Sequence, residues 1–361
     1  MPASLYLPLY LIIVTLFTIV VINKYPSSTL RYKFRDISFQ TQAVFLTLFL
    51  IVFIGFRPLS SKYFVDMVNY DLYYKVFAYK ANNFTFNWDV GNYIYENLFN
   101  WMGFMGFEVD YFFLVMAFIY FSCLLWACIK IFPRDTLLAF LMYLGALSTF
   151  SYGTNGIKAG AAASIFLLAI AYRKNKLLTI LFLFLSLGFH HSMKAPIVAY
   201  LIAHYYKNPK YYLYGWFFCL LLTAAHVTVF MSLFTGYTDE QGAGYLIENE
   251  KNNVSGFRPD FYLYSFIPIY IGYYAITKKK FKSEYYTFMW QVYTITNCVF
   301  LLCTYGSFIN RIAYLSWLLY PFILLYPFIY MSWGNQQNTY IKYVVLGHLS
   351  FTLFMSIISH G

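Results

Sequence analysis

The chain has 361 residues, of which 61% are hydrophobic and only 11% are charged, and its formal net charge is +11. Soluble domains contain roughly 45–50% apolar and about 25% charged residues, so this composition excludes a water-soluble protein. The positive charge does not indicate nucleic-acid binding, because most Lys and Arg residues lie in short loops between apolar blocks. The five cysteines lie inside apolar blocks without a CxxC pair, and they predict neither a disulfide framework nor a zinc site.

The apolar residues form blocks of the length that crosses a hydrocarbon layer about 30 Å thick. They predict an all-α polytopic membrane protein with about twelve transmembrane helices in a single domain, residues 1–361. The predicted spans are 4–22, 38–56, 110–130, 135–152, 157–173, 177–191, 192–206, 211–234, 258–277, 285–305, 309–331 and 341–359.

The loop charges predict the orientation of these spans, since Lys and Arg are enriched in cytoplasmic loops. Assigning 23–37 to the cytoplasm places the basic clusters at 173–176 and 278–282 on the same inner side. The N-terminus, on the other side of the first span from 23–37, is then predicted to face outward. Because the number of spans is even, the C-terminus is predicted to face outward as well.

Two outer segments are longer than simple connections. Residues 57–109 mix aromatic, Asn and acidic residues with scattered apolar positions, a pattern typical of short amphipathic helices at an interface. Residues 235–257 are polar and contain Gly, and they predict a second outer loop that covers a site. Both segments are expected in the periplasm or outside the cell.

Four basic residues stand at predicted outer span ends: Arg57, Lys158, Arg258 and Arg311. If they converge, their charges suit a multiply charged anion, since Arg presents a planar fork to phosphate oxygens and Lys a point charge. Helices that begin on the outer side also direct their positive dipole ends there. The alternative for each is a lipid-headgroup anchor, and Arg258 with Asp260 also matches a structural ion pair.

Adjacent His190 and His191 lie at the junction of two predicted spans, where a neutral imidazole can take a proton from a hydroxyl group. Asp66 and Asp260 are the carboxylate competitors for this role. The Tyr and Trp residues of 57–109 suit stacking on sugar rings, but an interfacial aromatic belt predicts them equally well. No His/carboxylate set at metal-ligand spacing is present in the sequence, so no metal site is predicted.

Several short motifs, in this order, resemble the EpsG/Wzy family of bacterial polysaccharide repeat-unit polymerases. They are GFR at 55–57, Asp66 followed by Tyr70, TNGIKAGAAAS at 154–164, FHHS at 189–192, FRPDFYLYS at 257–265 and NRIAYLSW at 310–317. The resemblance extends from about residue 50 to about residue 325. Lys158 departs from it, because such proteins often have Arg at this position.

The resemblance implies a GT-C-like membrane glycosyltransferase at the periplasmic face of the inner membrane. It would transfer a growing glycan from undecaprenyl diphosphate to a lipid-linked repeat unit, by inversion and without a metal or other cofactor. Arg57, Lys158, Arg258 and Arg311 would then bind the diphosphate, with His190 as general base, His191 as second choice and Asp66 or Asp260 as competitors. Expected partners are the lipid-linked donor and acceptor, membrane lipids and a chain-length regulator, but no nucleic acid.

Three other functions compete with this interpretation. An O-antigen ligase-like transferase uses the same donor with a different acceptor. A metal-dependent transferase that uses a polyprenyl-phosphate sugar would employ Asp66 and Asp71. A transporter or flippase for lipid-linked sugars is disfavoured, because the charges gather at one face and are scarce within the spans.

Overall fold

A computed structural model of the chain describes residues 1–25, 37–78, 83–237, 258–306 and 309–360. All regular structure in these ranges is helical. Residues 238–257 of the predicted second outer loop (235–257) and residues 26–36 of the predicted inner segment (23–37) lie outside the described residues.

The helices form two compact units, which are described separately. The first unit begins with α1 (Tyr6–Lys24), α2 (Ile37–Gly55), α3 (Val65–Tyr73), α4 (Tyr93–Phe104), α5 (Val109–Ile131), α6 (Thr136–Leu144), α7 (Leu147–Thr154), α8 (Ile157–Ala171) and α9 (Lys176–Phe189). The second unit contains α10 (Lys194–Tyr205), α11 (Pro209–Ala224), α12 (Pro259–Tyr273), α13 (Glu284–Leu302), α14 (Ile309–Trp317) and α15 (Tyr320–Tyr330). The last helix, α16 (Gln337–His360), belongs to the first unit.

Four helical segments in the described residues are long and apolar enough to cross a membrane: Ala3–Lys24, Val109–Ile131, Ile309–Tyr330 and Gly334–Ile357. The bent pair α6 and α7 makes a fifth if it is counted as one span. Other predicted spans coincide with apolar helices of 10–17 residues, such as Ile157–Ala171. At 1.5 Å per residue these helices are shorter than the layer they would cross. The structure therefore shows a helical protein with membrane-capable helices, while the count of twelve stays a prediction.

The predicted span 135–152 is not one continuous helix. It consists of α6 and α7, which meet at an angle of 75° around Gly145 and Ala146. The break releases backbone carbonyl groups that a straight helix would pair. The Tyr10 hydroxyl donates to the Leu144 carbonyl at 2.6 Å, and the Thr149 hydroxyl donates to the Tyr143 carbonyl at 2.5 Å. Two side-chain hydroxyl groups thus pair carbonyl groups that the bend leaves without a helical partner.

In the first unit, α8 packs against both α5 and α9. This close packing follows from the small residues at the start of α8, Ala159 to Ala163. A Cβ atom added at Gly160 would lie 2.6 Å from the Tyr152 carbonyl oxygen and 2.9 Å from the Tyr152 Cβ. Gly160 therefore permits the contact between the end of α7 and the first turns of α8.

In the second unit, α13 is the central helix and packs against α10, α11 and α14. Its buried Asn297 accepts a hydrogen bond from Trp216 Nε1 at 2.7 Å and donates to the Ser316 hydroxyl at 3.0 Å. Trp317 Nε1 donates to the Ser265 hydroxyl at 2.8 Å. Buried polar groups need such partners, because leaving one unpaired costs about 1–3 kcal/mol. The network fixes α11, α13 and α14 relative to one another.

We expect Gly160→Ala to destabilise the protein, because its methyl group would overlap with the Tyr152 backbone. Overpacking of this kind costs about 1–3 kcal/mol. Thermal unfolding in detergent should show a lower midpoint temperature. The matched control is Gly347→Ala in α16, where an added Cβ meets no atom within 4 Å. Equal midpoints for the two variants would contradict the assigned packing.

Candidate functional site

Arg57 lies directly after α2 and is buried, with 2% of its surface exposed. Its guanidinium group donates to the Ile54 carbonyl at 2.7 Å and to the Thr154 carbonyl at 2.6 Å. The rings of Phe64 and Phe113 lie 5.8 Å and 5.1 Å from the guanidinium carbon. Arg57 therefore connects the end of α2 to the end of α7 inside an aromatic enclosure.

Arg57 is a buried cation without a carboxylate partner in the described part of the chain, and its Nε has no hydrogen-bond acceptor there. Burial lowers the pKa of Arg57 to about 9, while Tyr70, Tyr6 and Asp110 act in the opposite direction. The group still carries its charge at neutral pH. Since this enclosure leaves little surface for a ligand, Arg57 is better suited to bracing the site and contributing positive potential than to direct contact.

Lys158 lies in the first turn of α8, about one turn after the Thr154 carbonyl that Arg57 holds. It is half-buried, and its ammonium nitrogen lies 6.0 Å from the centroid of the Tyr95 ring. No side chain caps the N-terminus of this 15-residue helix. The positive end of the helix dipole and the Lys158 charge therefore coincide, an arrangement that favours an anion.

Two polar side chains near Lys158 were not predicted from the sequence. The Tyr95 hydroxyl and the Asn155 side-chain oxygen are both buried without a hydrogen-bond partner in the described residues. The Tyr95 ring also packs near Tyr70, at 6.2 Å between centroids. Asn155 belongs to the TNG motif, so the sequence could have indicated it. Nothing in the sequence distinguishes Tyr95 from the many other aromatic residues of its segment.

The acidic candidates of the predicted first outer segment, Asp66 and Asp71, lie on α3. Asp66 is half-buried in the first turn of this helix. Asp71 forms an ion pair with Lys75 at 2.9 Å, and this hydrogen bond raises the pKa of Lys75. Within the described ranges, no three His, Cys, Asp or Glu side chains form a group that could hold a metal ion.

Arg258 and Asp260 form a two-pronged ion pair at the start of α12 in the second unit. Arg258 Nε donates to one carboxylate oxygen at 3.0 Å and a terminal nitrogen donates to the other at 2.6 Å. The guanidinium carbon lies 4.0 Å from the centroid of the Phe261 ring. This geometry matches the structural ion pair that was one of the two alternatives predicted from the sequence. Both carboxylate oxygens of Asp260 accept hydrogen bonds from Arg258.

Arg311 is exposed in the first turn of α14, in the same unit as Arg258. The two helices meet through Phe261 and Trp317, whose ring centroids are 5.1 Å apart. The structure thus brings Arg57 close to the α8 turn that carries Lys158 in one unit, and it connects the helices of Arg258 and Arg311 in the other. The convergence of all four cations in one crevice stays a prediction.

The two candidate histidines differ in exposure. His190 ends α9, where its backbone N–H donates to the Ser186 carbonyl at 3.1 Å, and its side chain is partly exposed. His191 opens a short 3-10 turn, His191–Met193, and is only 6% exposed. Of the two, His190 is the more accessible to a substrate hydroxyl group.

We expect Arg57→Met to lower the free energy of unfolding by about 1–3 kcal/mol, because two carbonyl groups lose a charged donor. The relief of the buried charge offsets part of the loss. The change would appear as a lower thermal midpoint in detergent. Lys62→Met is the control, since Lys62 is exposed on the same segment. An unchanged midpoint for Arg57→Met would show that Arg57 does not brace α2 and α7.

Comparison with protein families matches residues 41–361 to the EpsG family. No curated protein and no solved structure matches the chain. The matched region includes every candidate residue of both units, and it covers most of the sequence. The chain therefore belongs to the EpsG family.

Proposed function

We propose that this protein is a membrane glycosyltransferase that polymerises oligosaccharide repeat units carried on undecaprenyl diphosphate. The observation that carries the proposal is the EpsG family match, which includes Arg57 and the Lys158 turn it braces. We place the reaction at the periplasmic or outer face of the bacterial inner membrane. A lipid diphosphate lies at the headgroup plane, where the predicted outer ends of the spans are located. We also retain twelve spans and a GT-C-like arrangement as part of this proposal.

The donor diphosphate is the anion that the cationic residues suit. Lys158 and the uncapped start of α8 supply one positive locus, which Arg57 positions through the Thr154 carbonyl. Arg311 supplies an exposed positive charge in the second unit, whereas the charge of Arg258 is largely compensated by Asp260. Donors aimed at the departing diphosphate stabilise the negative charge that grows on it in the transition state.

The transfer step is a single displacement. The acceptor hydroxyl oxygen bonds to the anomeric carbon of the donor glycan as the bond from that carbon to the diphosphate oxygen breaks. The diphosphate leaves with the electron pair, and the hydroxyl proton passes to the general base. We assign this base to His190, with His191 next, because His190 is the more exposed. Asp260 is a weaker competitor because Arg258 occupies both of its oxygens, and Asp66 remains the other carboxylate candidate.

The decisive experiment incubates purified protein in detergent with a lipid-linked repeat unit and separates the products by size. A polymerase yields a ladder of lengths without any other acceptor. An enzyme that extends only an added lipid A core is a ligase, and a protein without turnover in the absence of compartments matches a transporter. Either of the last two results would overturn the proposed function.

In this assay we expect Lys158→Ala to slow ladder formation about a hundredfold, since its ammonium group would no longer stabilise the leaving diphosphate. Lys158→Arg should retain activity, because a guanidinium group can also bind phosphate oxygens. Lys62→Ala, at an exposed lysine on the same predicted face, serves as the matched control. Normal ladders from folded Lys158→Ala would remove this residue from the site.

We expect His190→Asn to reduce the rate about a hundredfold or more, because general-base catalysis contributes about that much. His191→Asn, at the adjacent buried residue, should keep more activity provided that the protein folds. The measurement is the initial rate of glycan transfer at saturating donor. If His191→Asn is the more impaired while thermal midpoints stay equal, the base assignment passes to His191.

A further inference from the structure

A ladder of aromatic rings projects from the first outer segment of the first unit. It runs from Phe86 to Trp88 with centroids 4.5 Å apart, from Trp88 to Tyr93 at 5.5 Å, and from Tyr93 to Phe184 at 5.4 Å. Trp88 is 63% exposed, and Phe86 and Phe184 are each 45% exposed. The rings therefore present a continuous apolar surface that the protein core does not use.

The ladder is held in place by a buried amide. Asn97, which is 4% exposed, accepts a hydrogen bond from the Asn87 backbone N–H at 2.7 Å and donates to the Asn87 carbonyl at 2.7 Å. It also donates to the Tyr93 carbonyl at 2.6 Å. One side chain thus ties the irregular segment that carries Phe86 and Trp88 to the first turn of α4. Surfaces fixed in this way lose little conformational entropy when a ligand binds.

Tyr93, at one end of the first outer segment's three rings, packs against α9. The Tyr93 hydroxyl donates to the Phe184 carbonyl at 3.1 Å. A Cβ atom added at Gly188 would lie 2.7 Å from the Tyr93 ring, so the helix needs glycine at this position for the ring to pack. The position of Tyr93 is therefore specified by two independent contacts.

The charges of the chain segment that carries Phe86, Trp88 and Tyr93 disfavour a lipid-headgroup surface. No Lys or Arg occurs between Lys80 and Lys130, whereas Asp89, Glu96, Glu108 and Asp110 lie in this stretch. Anionic headgroups attract basic residues, and acidic residues repel them. An aromatic face bordered by carboxylate and amide groups instead suits a neutral ligand with apolar ring faces and many hydroxyl groups. Sugars have both properties.

We propose that Phe86, Trp88 and Tyr93 form a stacking platform for the sugar rings of the growing glycan, outside the site of diphosphate binding. This inference rests on the proposed function for the identity of its ligand. The aromatic faces would cover the C–H faces of successive sugars, while the exposed Asp89 accepts hydrogen bonds from hydroxyl groups. Such a platform would hold the chain between additions and favour long products.

The test compares Trp88→Ala with Trp101→Ala. Trp101 is 42% exposed on α4 in the same segment, and its ring packs against no other aromatic ring of the described residues. The probe is the polysaccharide of the producing cell, released from its lipid by mild acid, and the measurement is its dissociation constant with purified protein in detergent. We expect Trp88→Ala to bind it about tenfold more weakly, from the loss of one covered ring face. Trp101→Ala should bind like the wild type, and Trp88→Phe should retain most of the affinity.

A second measurement follows the length of the product ladder. Trp88→Ala should yield shorter chains at an unchanged rate of first transfer, whereas Trp101→Ala should not. Equal effects of the two substitutions on binding and length would assign both residues to an interfacial belt and overturn the proposal. Wild-type protein that forms ladders but does not bind the released glycan would also overturn it. Binding without any ladder would instead refute the polymerase function and leave the platform in place.

Discussion

The structure depends on one constraint: in an apolar surrounding, every backbone polar group needs a hydrogen-bond partner. The break between α6 and α7 interrupts the regular helical pairing, and side-chain hydroxyl groups pair the carbonyl groups it leaves. Tyr10 binds the carbonyl at the break, and Arg57 binds the carbonyl at the end of α7. Because that end leads directly into α8, the Arg57 contact also places the start of the helix that carries Lys158. The candidate anion site therefore lies at a second interruption of the helices, the junction of α7 and α8.

The four cations that the sequence grouped together have different surroundings. Arg57 is enclosed, Lys158 is half-buried near an aromatic ring, Arg258 is paired with a carboxylate, and Arg311 is exposed. A buried charge strengthens a local field, whereas a paired charge is mostly compensated. In the proposed function, their contributions to diphosphate binding would therefore differ. Within this set, Lys158 and Arg311 are the more exposed and Arg57 is enclosed, so we propose direct contact for the first two and a positioning role for Arg57.

Aromatic residues make up 24% of the chain, and their number alone says little about their roles. Trp216 and Trp317 are buried and donate hydrogen bonds that fix the second unit. Trp88 is largely exposed and belongs to an ordered ladder. The same residue type thus serves core packing in one place and offers a ligand surface in another. Burial and the neighbouring charges, rather than composition, distinguish these uses.

The sequence by itself determined the helical membrane class, the approximate positions of the helices and the family, because apolar block length and short motifs are local properties. It also singled out Arg57 and the stretch around Lys158, but not the contact between them. Tertiary structure decided which polar groups are buried and paired: the bend at Gly145, the role of Tyr95, the engagement of Asp260 by Arg258 and the aromatic ladder at Trp88. These features depend on side-chain conformation and burial, and in the case of Tyr95 near Lys158 on a contact between residues far apart in the chain, and hydropathy and spacing carry no information about either.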